Sequence, residues 1–323
     1  MKIFKKISSV VLKTAVSIAL LAFLFKKTDT QAVWAVVKNA DKYFLGAAFL
    51  VYFINFILGF LRWEMLLRTV GIKLPFKRVI ISLAGGNFFN LFLPSTIGGD
   101  FMRTTDLALH TKKAKEVIAT VFLDRLSGYI GLVILAIIAL AFGWKYTQDK
   151  SIIAFLAVIS AILTAVLLIL FNKTLYMKLN RFFHNPARAH KITELVKNLH
   201  HEIHLFRNHK KVIFLNLLLS IAIQSIIPLS FYLIALSLGI QLRMVYFFIF
   251  LPIIGVVTLL PVSIGGLGLR DATTILLFAK AGLSKDLSFA MSLLGFFIIL
   301  VYGLISGIIY AITLHYRRLQ PAE

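Results

Sequence analysis

The chain has no cysteine, which removes disulfides, thiolate nucleophiles, Cys-ligated zinc and iron–sulfur clusters from its chemistry. Acids are scarce as well: 13 Asp and Glu among 323 residues, with neither an acidic metal cluster nor a cofactor motif. Charged residues make up 15% of the chain, against about a quarter in a soluble domain. The space is filled by apolar side chains, 59% of the total, including 29 Phe. The formal charge of +22 comes from 35 Lys and Arg that punctuate long apolar runs instead of gathering on a polar domain, which argues against nucleic acid. This is the composition of a polytopic membrane protein. At about 20 residues per spanning helix the length allows roughly six to eight spans, with no room for a separate soluble catalytic domain.

Charge-free runs extend over 43–61, 79–99, 126–144, 151–172, 212–242, 244–269 and 287–314, each longer than the ~18 residues of a spanning candidate. A further candidate, 7–25, is interrupted by Lys13. Lys2, Lys5 and Lys6 before it resemble the start of a signal peptide, but no small-residue cleavage site follows. Two runs are broken alike: Leu93-Pro94 precedes Ile97-Gly98-Gly99, and Leu260-Pro261 precedes Ile264-Gly265-Gly266. If each break is the tip of a re-entrant hairpin, the fold is all-α and polytopic. It then has six full transmembrane helices (7–25, 43–61, 121–144, 151–171, 212–238 and 288–314) plus two oppositely oriented re-entrant hairpins near 79–112 and 244–282. The chain divides into an N-terminal helix and loop (1–42), a first half (43–171), an amphipathic linker (172–210) and a second half (211–323). With both termini inside, 23 basic residues fall on the cytoplasmic side and 10 outside, as the positive-inside rule requires. Trp63 and Tyr316 would then be aromatic anchors at inner ends, and Tyr43, Trp144 and Tyr146 at outer ones.

The two breaks belong to a longer repeat. Pro94 to Gly99 with Arg103 matches Pro261 to Gly266 with Arg270, giving P-x-[ST]-I-G-G-x-x-x-R twice, and upstream Gly71-Ile72-Lys73-Leu74 matches Gly239-Ile240-Gln241-Leu242. Three crossings separate the copies, so they are inverted. Inverted repeats with broken helices meeting near the midplane recur in secondary transporters. Irregular backbone at membrane depth implies a protein-lined or watery cavity. An isolated pair such as Gly85-Gly86 is better read as close helix packing.

Asn90 with Leu93-Pro94, Gly98-Gly99 and Arg103, the pair Asp124-Arg125, and Leu260-Pro261-x-Ser263-x-Gly265-Gly266-x-Gly268-x-Arg270-Asp271 resemble the flippase-like family that includes the transmembrane region of lysylphosphatidylglycerol synthases, also called multiple peptide resistance factors. The resemblance covers about residues 7–314. It implies a lipid translocator of a prokaryotic cytoplasmic membrane, acting on phospholipids, polyprenyl-phosphate carriers or other membrane lipids. Where the family pattern has Glu, this chain has Asp124 and Asp271, which keeps the charge and shortens its reach. The aminoacyl-transferase domain of bifunctional relatives is absent from this sequence, so an enzyme is not expected.

Ionisable residues at membrane depth are costly and point to function. Arg103 and Arg270 each follow a glycine break by four positions, beside a helix start whose free N–H groups favour anions, and the arginine fork suits phosphate. Each arginine could instead lock its hairpin onto a neighbouring acid: Asp100 or Asp106 for Arg103, Asp271 for Arg270. Asp100 and Asp124 have no charged counterparts in the second copy and either organise the arginines or accept a coupling proton. Arg125 is a third candidate ligand. Asn87 and Asn90 either line the cavity or bond across helices, as does Gln224 beside Pro228, whose ring kinks its helix. Gly98, Gly99, Gly265 and Gly266 complete the expected site. Ile192, Leu195, Val196, Leu199, Ile203 and Phe206 recur at helical spacing on an interfacial helix, where His200, His201 and His204 belong to a solvated basic face and not to a metal site. The expected function is movement of an anionic, phosphate-bearing lipid between leaflets. The competing readings are an intramembrane enzyme acting on a lipid phosphate, an ion channel and a structural partner.

Overall fold

A computed structural model describes residues 15, 17–93, 97–145, 149–171, 206, 209–258, 263 and 266–319. The tip residues 94–96, Gly265, the linker residues 172–205, with His200, His201 and His204, and Lys13 lie outside the described residues. Among those described there are eleven helices and no strand. In chain order they are α1 (17–27), α2 (Thr30–Lys38), α3 (Lys42–Thr69), α4 (Phe76–Phe92), α5 (Ile97–Thr111), α6 (Ala114–Gly143), α7 (Lys150–Phe171), α8 (Lys210–Ser237), α9 (Met244–Thr258), α10 (Leu269–Ala279) and α11 (Lys285–Leu319). Four of them, α3, α6, α8 and α11, are long and apolar enough to cross a membrane.

α3 starts where Asp41 accepts hydrogen bonds from the N–H groups of Tyr43 and Phe44, a capping role for which aspartate is among the preferred residues. It ends where Gly71 turns to φ +75°, a left-handed conformation that glycine adopts without strain. There Ile72 N–H donates to Leu67 O (3.0 Å) and Gly71 N–H to Arg68 O (3.1 Å), the paired bonds of a Schellman cap. α8 ends identically: Gly239 lies at φ +72°, Ile240 N–H donates to Ala235 O (2.9 Å) and Gly239 N–H to Leu236 O (3.0 Å). The sequence match at these glycines is therefore a match of backbone geometry.

The equivalent helices α3 and α8 run antiparallel along their length. Asp41 N–H donates to Ser237 O (2.8 Å), Ser230 Oγ to Ala48 O (3.0 Å), and Arg62 Nη1 to Ser220 Oγ (3.0 Å). Each is followed by a helical pair, α4 with α5 and α9 with α10, so the two pairs open at opposite ends of the bundle. Their limbs of 17, 15, 15 and 11 residues are about 25, 22, 22 and 16 Å long, short of the ~30 Å hydrocarbon thickness. The halves also exchange partners. α4 packs on α11, with Gly85 under the Tyr310 ring and Gly307 under Phe88, while α9 packs on α6, with Gly143 against Val245 and Ile249. An apolar core around Phe247, Phe250, Phe278 and Ile234 fills the Lys42 end, and one around Trp63, Leu67, Leu107 and Val117 fills the Thr69 end.

Three expectations change. α3 continues eight residues past Leu61, which carries Arg62 and Trp63 into the bundle; Trp63 is fully buried and is no interfacial anchor. Gly98 and Gly99 lie in the first turn of α5, not in the break. A Cβ on Gly99 would overlap the Gly86 carbonyl oxygen and the Asn90 side chain, and one on Gly98 would overlap Leu93. These glycines, like Gly85 and Gly86, allow close approach of α4, α5 and α11.

Candidate functional site

α5 folds back along α4 and is fixed at three levels. At the open end Arg78 Nη2 binds Asp106 Oδ1 (2.8 Å), in the middle Ser82 Oγ donates to Arg103 O (3.1 Å), and near the tip Gly99 N–H donates to Asn90 Oδ1 (2.9 Å). Asp106 thus pairs with Arg78 at the hairpin base and does not serve Arg103. The remaining acids do.

Asp124 of α6 accepts from Arg62 Nε on one oxygen (2.7 Å) and from Arg103 Nη2 on the other (2.8 Å). Asp100 accepts from Arg103 Nε (3.0 Å), and Arg125 clamps both of its oxygens at 2.5 and 2.8 Å. The Arg103 guanidinium also lies 4.7 Å from the centre of the Trp63 ring, whose Nε1 donates to Thr120 Oγ1 (3.3 Å). Three arginines face two aspartates, leaving one net positive charge inside the bundle. Such a network is stable only when its members are nearly all satisfied. Arg62 and Arg103 are almost wholly enclosed, whereas the Arg125 side chain is 37% exposed. Arg125 is therefore the cation that faces open space.

That space is a cavity of about 250 Å³ lined by all five charged residues together with Tyr52, Asn55, Asn87, Asn90, Gln224 and Tyr302. Asn87 both lines it and bonds across helices, its Nδ2 donating to Tyr302 Oη (2.8 Å). Arg62 was not among the residues expected at the site. The available signal was the continuation of apolar spacing past it, through Trp63, Leu66 and Leu67, with one arginine embedded in the stripe.

The second half repeats the layout with different chemistry. Arg270 Nη2 pairs with Asp271 Oδ1 (2.7 Å), and Ser292 Oγ donates to the same oxygen (2.5 Å). Gly268 N–H donates to Asp271 Oδ2 (2.9 Å). Arg270 Nε reaches Ser292 Oγ (3.3 Å), with the guanidinium 5.1 Å from the Phe296 ring centre. Ser292 of α11 bonds Arg270 as Asp124 of α6 bonds Arg103. This cluster is neutral, and Arg270 lines a smaller cavity of about 150 Å³ that shares Gln224 and Ile227 with the first. Gly266 takes a φ of +76° in the turn before it. A third cavity, of about 140 Å³ and walled by Leu66, Leu126, Ile130, Ile213 and Leu217, lies one helical turn from Arg62 towards the Thr69 end.

Long apolar helices around a polar, net-positive interior define a multi-pass membrane protein. Residues 10–307 match the family described as the lysylphosphatidylglycerol synthase TM region, and the chain belongs to that family. It is similar to a UPF0104 membrane protein of Pyrococcus horikoshii, 24% identical over 86% of this chain and 89% of the relative. It is also similar to one of Methanothermobacter thermautotrophicus, 23% identical over 93% and 92%. A stretch of 93 residues is 31% identical to a UPF0104 membrane protein of Archaeoglobus fulgidus, covering 29% of this chain and 28% of the relative.

Proposed function

We propose that the protein moves an anionic, phosphate-bearing lipid between the leaflets of a prokaryotic cytoplasmic membrane without altering it covalently. The observation that carries this reading is the excess positive charge of the first cavity, presented at its wall by the partly exposed Arg125. Arg62 and Arg103 supply the field, and Asp100 holds the Nε and Nη2 edge of Arg125, which leaves the Nη1 side of the guanidinium to meet the phosphate. At about 250 Å³ the cavity is smaller than the ~300–1,000 Å³ that encloses a whole drug-sized ligand, which suits a headgroup whose chains stay in lipid. The apolar cavity one turn away offers a berth for such a chain. Both oxygens of Asp100 and of Asp124 are engaged by arginine, an arrangement that favours binding over acid–base chemistry. In this reading the two short pairs are re-entrant, six helices cross fully, and the lysine-rich Thr69 end with both termini faces the cytoplasm.

The test is reconstitution with fluorescent phosphatidylglycerol and an impermeant quencher. Losing a charge-assisted bond costs about 1.5–3 kcal/mol, so Arg125→Gln should slow lipid movement roughly ten- to hundredfold. It also takes the partner from Asp100 Oδ2 and should lower the thermal midpoint, so Arg125→Lys, which keeps a cation beside Asp100 but not the fork, serves as the folded control and should restore the midpoint more fully than the rate. A variant that moves lipid at the original rate would sink the proposal.

A further inference from the structure

We infer that the apolar cavity between α3, α6 and α8 is a binding site for an ester-linked acyl chain, with the Asn216 amide donating to the ester carbonyl. This deepens the reading of that cavity as the berth of a lipid chain and is independent of the anion site. Leu66, Leu126, Ile130 and Leu217 wall about 140 Å³, and an apolar cavity of this size holds hydrocarbon in preference to water. Two polar side chains, Ser127 and Asn216, reach it. Ser127 Oγ donates its hydrogen to Asp124 O (3.1 Å). Asn216 is only 4% exposed, and its Nδ2 has no hydrogen-bond partner among the described residues. A buried amide without a partner is costly and rare in a native fold. Nδ2 only donates, so the group that completes it is an acceptor, carried on a hydrocarbon body that suits the walls.

Depth on the helix selects the acceptor. α8 is long and apolar enough to span a membrane, and it begins with the exposed Lys210 and Lys211, which belong beside anionic headgroups at the interface. Asn216 lies five residues beyond Lys211, about 7.5 Å further along the axis. The layer just beneath the phosphates of a glycerolipid is that of its ester carbonyls, and the hydrocarbon begins below it. Ile213, 45% exposed, forms one edge of the same cavity, so a chain can enter from the surrounding bilayer without leaving it. An ether-linked or isoprenoid chain fills the same walls but leaves Nδ2 unbonded. A site built around a hydrogen bond discriminates against the analogue that lacks it.

The experiment is native mass spectrometry of the full-length protein in detergent with equal amounts of phosphatidylglycerol in its diester form and in a diether form of the same chain length. Wild type should retain the diester over the diether by about two- to tenfold, the effect of one hydrogen bond. Asn216→Leu should bring that ratio to one, since an apolar side chain of similar shape removes the unbonded amide without leaving a hole; Asn216→Ala, the smaller replacement, should do the same. Arg125→Gln should lower both forms together, because they carry the same phosphate, and keep their ratio, which tells loss of the anion site from loss of the ester site. Equal retention of the two forms by wild type, or retention of neither, overturns the assignment and gives the Asn216 amide to water. A ratio that survives both Asn216 variants, or that collapses in Arg125→Gln, overturns it as well by placing the carbonyl contact elsewhere.

Discussion

Arg103 and Arg270 close the same motif, follow the same kind of helix break and each bond a polar position on a long neighbouring helix. In the first half that position is Asp124, which draws in Arg62 as well as Arg103; in the second it is Ser292, and the only carboxylate bonded to Arg270 among the described residues is Asp271, next to it in the chain. Asp100, which holds Arg125, is matched by Leu267. One half therefore concentrates charge and keeps an excess of it, while the other cancels its arginine locally. The two halves share a scaffold, and their different residues at matching sites leave the excess positive charge in one of them. The two arginines expected as equivalent ligands thus sit in different surroundings, one in a net-positive cluster and one in a neutral one.

The largest expected effect comes from attacking the member that distinguishes the halves. Asp124→Ala leaves buried Arg62 with no carboxylate, bonded only to Ser220, and Arg103 with Asp100 alone, and breaking such a buried pair typically costs about 3–5 kcal/mol. The counterpart, Ser292→Ala, removes two hydrogen bonds while Asp271 still neutralises Arg270, for roughly 1–2 kcal/mol. Thermal unfolding in detergent should rank Asp124→Ala far below Ser292→Ala. Equal midpoints would mean that the first cluster is not the electrostatic centre of the molecule.

The hairpin seams sharpen the contrast. In the first, a methyl group on Gly99 would run into the Gly86 carbonyl and Asn90, so Gly99→Ala should cost about 1–3 kcal/mol through overpacking. On α9 of the second hairpin, a methyl group on Gly255 would face α6 and meet only Leu132, at an ordinary 3.7 Å. Gly255→Ala should be neutral or stabilise by up to about 1 kcal/mol through helix propensity. If both variants unfold alike, the α4–α5 seam at Gly99 is no tighter than the α9–α6 contact at Gly255, and the first hairpin loses its special rigidity.

These contrasts mark what could be read from residues alone. The duplicated motif and the matching Gly71 and Gly239 identified equivalent places, because a left-handed cap demands the same residue type wherever it recurs. Arg103, Arg125, Asp100 and Asp124 were legible as a group because charge inside apolar runs is expensive. Which acid serves which arginine was not legible. Asp100 and Asp106 both lie three residues from Arg103 on α5, and only the packing of α4, which brings Arg78 to the hairpin base, separates their roles. Arg62 was hidden by equating the end of a charge-free run with the end of a helix. An arginine bonded to partners on two other helices can sit well inside a bundle, so helix ends and charge boundaries need not coincide.

The smallest expected effect is at the open ends of the hairpins, where the halves differ again. Arg78 and Asp106 close the first within the protein, whereas the second is tied to the start of α7 by an exposed pair, Lys280 with Asp149. Hydrogen bonds from Lys280, then from the Ser151 hydroxyl and N–H, hold the Asp149 carboxyl well below the usual carboxylate range. Because the folded value is the lower one, the stabilisation is fully present above the ordinary aspartate value of about 3.9 and fades as pH falls from there towards the folded value. Exposed pairs of this kind contribute little and are screened by salt. Lys280→Gln should therefore lower the thermal midpoint only slightly at pH 7, less so in 1 M salt, with the gap to wild type closing below about pH 4. A gap that stays constant between pH 7 and pH 3 would show that Lys280 acts through packing of its alkyl chain and that the ion pair does not tie the second hairpin to α7.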